Sequence, residues 1–174
     1  TSGIIAFLSI PIWWVISNRI GKKLTWLISS SVTLIALISF YLYPISQLNE
    51  LLVLVGFIGF GSGAGGILFW SMLPDTIEYG EVHTGVRSES SLYGFMTFAQ
   101  KGSIAFAIII LGLVLDAIGF QANEIQTEST IADMKAIMTL IPIVGIASSL
   151  IIIYFYPIDA KMHKELLRQL KEER

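Results

Sequence analysis

The chain has 174 residues, of which 54% are hydrophobic and only 14% are charged, and its mean hydropathy is +0.74. Soluble domains of this size carry about a quarter charged residues, so the composition excludes an ordinary soluble domain and indicates an all-α membrane protein. The absence of cysteine excludes disulfides and thiol catalysis. The net charge of −2 gives no indication of nucleic-acid binding. The expected partner of the chain is the lipid bilayer.

Five apolar runs follow one another along the chain and predict five transmembrane helices. All but the first reach the ~20 residues needed to cross ~30 Å of hydrocarbon. Their limits are 3–17, 24–43, 51–73, 91–120 and 132–156. The remaining segment, 158–174, is basic, and Leu166, Leu167 and Leu170 have the spacing of a short amphipathic helix at the membrane surface.

The basic residues of the connections and the tail lie on one side of this arrangement. Arg19, Lys22 and Lys23 follow the first run, Arg87 lies between the third and fourth, and the tail holds five more. The connections at 44–50 and 121–130 contain no Lys or Arg. The positive-inside rule therefore predicts that the first residues lie outside and that the C-terminal end lies in the cytoplasm. We expect the protein to be integral to a plasma or inner membrane.

Small and aromatic residues predict how the helices pack. Gly59 and Gly63 in the third run have the four-residue spacing that lets a neighbouring backbone approach closely. Trp13, Trp14 and Trp26 fall toward the ends of their runs, where aromatic residues meet the membrane interface.

Lys101 lies about ten residues inside the fourth run, or ~15 Å from its start. A lysine at the centre of a membrane helix costs ~2.5–3.5 kcal/mol on insertion scales, so we expect it to face protein or a water-filled cavity, with an acidic partner. The alternative is a structural ion pair. Tyr93, Thr97 and Gln100 share its helix face, and Trp70 can line a cavity, with packing as the alternative. These five residues are the candidate substrate or cation-coupling residues.

A second charged group follows the third run. Asp75, Glu78 and Glu81 are spaced three apart, and Arg87 can reach back to them, which predicts a cytoplasmic gate whose ion pairs break and reform. A solvated charged loop and a cation site that includes His83 are the alternatives. His83 and His163 have no companion histidine, so no structural metal site is predicted. The spans offer no nucleophile–base pair, which excludes an intramembrane enzyme.

The stretch WSMLPDTIEYGEVHTGVRSESSLYGFMTFAQK, residues 70–101, resembles the glycoside–pentoside–hexuronide:cation symporters. This melibiose-permease-like family belongs to the major facilitator superfamily and is related to the sodium-dependent lysophosphatidylcholine symporters. LGLVLDAIGF, IPIVGIASSLIIIYFYPID and IPIWWVISNRIGKK resemble other helices of the same family.

The resemblance implies that the five spans are helices eight to twelve of a twelve-helix transporter. Residues 1–157 would form an incomplete C-terminal bundle, and 158–174 its cytoplasmic tail. Alternating access driven by Na⁺, H⁺ or Li⁺ would move a sugar or glycoside, with the ion held mainly by an N-terminal bundle outside this sequence and with no other cofactor. A lysolipid substrate and a non-transporting membrane subunit are the alternatives. The resemblance also places Lys101 near the cation site, Thr97 near the substrate, and Asp75, Glu78 and Arg87 in the gating connection.

Overall fold

The computed structural model describes residues 2–45 and 47–172, which form α-helices joined by short connections and contain no strand. The helices are α1 (Ser2–Ile20), α2 (Lys22–Leu42), α3 (Leu48–Thr84), α4 (Glu89–Ala117), α5 (Glu128–Tyr154) and α6 (Ala160–Glu172). Within the described residues, the first five are long and apolar enough to cross a membrane. The predicted all-α membrane fold is confirmed.

Local sequence explains where the helices begin and end. Gly21 adopts φ +89° between α1 and α2, a left-handed conformation that residues with a side chain rarely adopt. At the start of α3, the side chains of Gln47 and Glu50 cap each other's backbone N–H groups. The same helix ends at Gly85, whose φ of +68° closes the last turn through a hydrogen bond to Glu81.

α3 is the longest helix, with 37 residues. At 1.5 Å per residue it is roughly 55 Å long, well beyond the ~30 Å of a bilayer's hydrocarbon. It passes through Pro74 and Gly80 without a turn, so it extends past the predicted span limit at residue 73. The charged stretch that follows residue 73 is therefore mainly helix, and the turn occurs only at Gly85.

Glycines on α3 bring two other helices into close contact. Gly59 and Gly63 face α1, where a Cβ on Gly63 would collide with Ser9 and the carbonyl of Ala6. Gly61 faces α2, where a Cβ would collide with Thr33 and lie 2.8 Å from the carbonyl oxygen of Ser29. The predicted role of Gly59 and Gly63 in packing is confirmed. Gly61 lies between them in sequence on the other side of α3, and it allows the same close approach of α2.

The apolar core is formed by Trp13 of α1, by Ala64, Leu68 and Met72 of α3, and by Ile153 of α5, and Trp26 and Leu27 of α2 pack against it. Trp13 is 3% exposed and donates its indole N–H to the carbonyl of Phe60 at 2.7 Å. The prediction that Trp13 lies in an interfacial aromatic belt is therefore wrong. The side chain can be buried because its N–H group has a backbone acceptor. Trp26 is half-buried and donates to Ser149 at 2.9 Å, which joins α2 to α5.

α4 is the most exposed of the long helices and has no buried residue within the described chain. Many of its apolar side chains are exposed, and Phe95, Phe98 and Phe106 are 65–76% exposed. An apolar helix with this exposure requires lipid or further protein around it.

α6 packs against the end of the bundle where the α1–α2 connection and the C-terminal part of α3 lie, called here the charged end. The predicted tail helix is present, with Leu166 and Leu170 buried against the bundle and Leu167 39% exposed, and its position at the membrane surface stays a prediction. Asp159 caps α6 by accepting the backbone N–H groups of Met162 and Lys161, and these bonds hold the pKa of Asp159 below its usual range.

The close contact at Gly61 makes a specific prediction. Gly61→Ala should lower the free energy of unfolding by about 1–3 kcal/mol, because the added methyl group would push α2 away from α3. The measurement is denaturant unfolding of the purified protein in mixed micelles. Gly80→Ala is the matched control on the same helix, since nothing lies within 4 Å of a Cβ there and alanine favours helix. Equal effects of the two substitutions would contradict the packing role of Gly61.

Candidate functional site

The charged end contains four side chains from three helices, called here the Asp75 cluster: Lys22, Asp75, Glu78 and His163. Lys22 begins α2, and its ammonium lies 2.7 Å from Asp75 Oδ1 and donates to the carbonyl of Ser71 at 2.7 Å. The Asp75 side chain is 6% exposed, against 29% for Lys22. A buried carboxylate needs such a partner, because its desolvation is otherwise strongly unfavourable.

His163 contributes to the same cluster from α6. Its Nδ1 lies 3.5 Å from Asp75 Oδ1, and its Nε2 lies 3.6 Å from Glu78 Oε2. Both distances exceed those of ordinary N–H···O hydrogen bonds, so the imidazole lies between the two carboxylates without a short bond to either. The Oε2 atom of Glu78 is buried and has no hydrogen-bond partner among the described residues.

Arg87 forms a separate ion-pair group in the connection between α3 and α4. Its guanidinium lies 2.9 Å from Glu81 and 3.1 Å from Glu89. The hydrogen bonds that Arg87 donates to Glu89 and then to Glu81 raise the pKa of Arg87 above its ordinary value. Of the three predicted acidic partners, Arg87 therefore contacts only Glu81. His83 instead stacks on Tyr79 with ring centroids 4.0 Å apart.

Lys22 and His163 were missed as members of this site. Lys22 was counted only as a loop charge that orients the chain, and His163 was dismissed for want of a second histidine. A spacing signal for His163 existed: with Leu166 and Leu170 it follows the three- and four-residue steps of one helix face. No comparable local signal identified Lys22, because its partner lies 53 residues further along the chain.

The other predicted residues lie on or near α4. Lys101 is exposed, and within the described part of the chain it has no hydrogen bond or ion pair. Tyr93 and Thr97 are half-buried. Gln100 and Trp70 line one groove of about 500 Å³ between α3 and α4. The structure thus brings Gln100 and Trp70 together, whereas Tyr93, Thr97 and Lys101 do not line that groove.

The groove between α3 and α4 combines a few polar groups with a mainly apolar wall. Gly65 and Gly66 form part of it, and a Cβ on either would meet nothing within 4 Å. The rest of the wall comes from aromatic and aliphatic side chains on α2, α3 and α4. Polar groups spaced along an apolar cleft are typical of small-molecule sites.

Comparison with known proteins agrees with this architecture. The family model described as MFS/sugar transport protein matches residues 2–160. The chain belongs to this family of the major facilitator superfamily, and it is an integral membrane protein.

Individual relatives extend over most of the chain. It is 33% identical to the uncharacterized symporter YnaJ of Bacillus subtilis and 32% identical to the glucuronide carrier protein homolog of Escherichia coli, each over 87% of the chain and 33% of the relative. The isoprimeverose transporter of Lactiplantibacillus pentosus is 30% identical over 98% of the chain and 36% of its own length. The chain therefore spans about a third of these relatives, as expected for five helices of a larger transporter. They are carriers and not enzymes, in agreement with the exclusion of an enzyme.

The Lys22–Asp75 pair leads to the second prediction. Lys22→Met should lower the free energy of unfolding by about 1–3 kcal/mol, since it removes the ammonium from a buried carboxylate. Adding Asp75→Asn should recover part of the loss, because the buried charge is then absent. Chemical unfolding of the two single variants and the double variant in mixed micelles measures the coupling. Strictly additive losses would argue against the pair.

Proposed function

We propose that this chain is the C-terminal part of a cation-coupled symporter for a sugar or glycoside that works by alternating access. The family membership and the names of the relatives, a glucuronide carrier homolog and an isoprimeverose transporter, support a glycoside as the substrate. A sodium-coupled lysolipid transporter is the competing proposal. The partner of the chain is then an N-terminal bundle of the same transporter, and the charged end faces the cytoplasm.

The single observation that carries the mechanism is Lys101. It lies at residue 13 of the 29-residue helix α4, so its ammonium is near the middle of a membrane-spanning segment. The side chain is exposed and lacks an acidic partner within the described chain. An ammonium at that depth is stable only if other protein groups or water surround it. We therefore assign its counter-charge to the N-terminal bundle, which would also hold most of the coupling ion (Na⁺, H⁺ or Li⁺).

The other candidate residues would act at two different places in this mechanism. Gln100 and Trp70, in the groove between α3 and α4, would contact the substrate through a hydrogen bond and a ring face. Tyr93 and Thr97 lie on the Lys101 side of α4 and would face the N-terminal bundle. Their hydroxyl groups are suited to the hydroxyl groups of a sugar.

At the charged end, we assign two different gating roles. The Asp75 cluster holds α2, α3 and α6 together, so these helices would move as one body when the two bundles rock. Arg87 and Glu81 lie in or beside the connection to α4, and the Arg87 side chain is 45% exposed. They are placed to exchange partners with the other bundle as the cytoplasmic side opens and closes.

Lys101→Val in the complete transporter tests the proposal. Ion-driven accumulation of a radiolabelled glycoside in membrane vesicles should fall to the level of vesicles without the protein, because the charge balance at the cation site is lost. Lys101→Arg is the matched control, since it keeps the positive charge and should retain part of the accumulation. Thermal unfolding of both variants checks that they fold. Unchanged accumulation by the valine variant would refute the role of Lys101.

The substrate class is tested separately in the unmodified transporter. The measurement is uptake of the labelled glycoside in the presence of unlabelled glycosides or a lysolipid as competitors, under a Na⁺ gradient and under a proton gradient. Competition by glycosides alone supports the proposal. Uptake of the lysolipid, with no glycoside transport, would favour the competing proposal.

A further inference from the structure

We propose that Asp75, Glu78 and His163 form a binding site for a divalent transition-metal ion such as Zn²⁺, which would link α6 to α3. One ligand atom from each of these three side chains lies within 4.8 Å of the other two. An imidazole nitrogen with two carboxylate oxygens is a donor set that Zn²⁺ accepts, with a fourth position left for water. The site uses three residues of the Asp75 cluster, but the binding of a metal ion there does not require that the chain transports a sugar.

The positions of the donors favour an ion between the helices. Asp75 and Glu78 are three residues apart on α3, so both carboxylates lie on the side that faces α6. His163 lies between them, with Nδ1 3.5 Å from Asp75 Oδ1 and Nε2 3.6 Å from Glu78 Oε2, so only one of its two nitrogens can coordinate the ion. The three ligand atoms lie within 4.8 Å of one another, and donor atoms around a tetrahedral Zn²⁺ are separated by roughly 3.4 Å, so they need to approach one another by up to about 1.4 Å.

The hydrogen bonding of the donors also points to a missing cation. Glu78 Oε2 is buried without a hydrogen-bond partner among the described residues, although a carboxylate oxygen normally accepts at least one bond. One nitrogen of His163 can coordinate an ion while the other donates to a carboxylate, the usual arrangement around zinc-bound histidine. An ion beside Glu78 would therefore satisfy the one buried side-chain atom that the described structure leaves unpaired.

Lys22 sets the electrostatic conditions at the site. Its ammonium contacts Asp75 Oδ1 at 2.7 Å, so the two carboxylates and one ammonium carry one net negative charge when His163 is neutral. A carboxylate has two oxygens with about four lone-pair positions, so Asp75 can hold both Lys22 and an ion. A cavity of about 280 Å³ adjoins the cluster, and its charged lining comprises Asp75 and Asp159 together with Arg19, Lys22 and Lys164.

Metal binding by the complete transporter, purified without an affinity tag containing histidine, tests the site. Equilibrium dialysis against Zn²⁺ should give one fewer bound ion per chain for His163→Ala and for Glu78→Gln than for the unmodified protein. His83→Ala is the matched control, since its ring stacks on Tyr79 away from the cluster, and it should bind as much Zn²⁺ as the unmodified protein.

A spectroscopic measurement separates coordination from nonspecific binding. Co²⁺ in place of Zn²⁺ should give visible absorption bands that His163→Ala abolishes and His83→Ala retains. Zn²⁺ should also raise the melting temperature of the unmodified protein but not that of His163→Ala, because the ion stabilises only the state in which α6 contacts α3. Equal Zn²⁺ stoichiometry and Co²⁺ spectra in the unmodified protein and the His163 variant would overturn the proposal, whatever the transport activity.

Discussion

The close approach of α3 to α1 and α2 is the constraint on which the rest of the structure depends. Glycines at 59, 61 and 63 leave no room for a Cβ at these contacts, so α3 lies between two neighbours at backbone distance. Lipid does not drive apolar helices together, and van der Waals contact of this kind is a main source of their association. Because the position of α3 is fixed in this way, its C-terminal turns bring Asp75 and Glu78 to Lys22 and His163. The glycine contacts in the membrane-spanning part of α3 thus determine where the charged end lies.

The sequence was informative wherever the determining signal is local. Hydropathy located the five long helices, and leucine spacing located the amphipathic α6, because each property is contained in one segment. It was less informative about which segments meet. Trp13 was misassigned to the interface because its acceptor, the carbonyl of Phe60, is 47 residues away. The predicted third span ended at residue 73, whereas α3 continues to Thr84. Hydropathy identifies the part of a helix that is apolar enough for the membrane, and it does not show how far the helix continues beyond it.

The same distinction applies to the candidate site. Asp75, Glu78 and Glu81 were identified because their spacing predicts a shared helix face, whereas their partners depended on how remote helices pack. Of these three acids, Arg87 contacts only Glu81, Asp75 pairs with Lys22 of α2, and Glu78 lies beside His163 of α6 without a short hydrogen bond. For Lys101, the cost of burying a charge predicted a partner, and none lies in the described chain. The acidic partner of Lys101 therefore stays a prediction, in a chain that spans about a third of these relatives.

The packing of α6 has a practical consequence for following the motion of the transporter. A Cβ on Gly21 would lie 3.0 Å from the Cβ of Ala160, and the Lys23 ammonium donates to the carbonyl of Tyr156 at 2.6 Å, so the start of α6 is held against the α1–α2 connection. Its buried leucines attach the remainder. A spectroscopic label on the exposed face of α6, for example at Lys164, therefore reports the position of the whole helical body. Such a label is a fixed reference point for measuring distances to the N-terminal bundle that we propose.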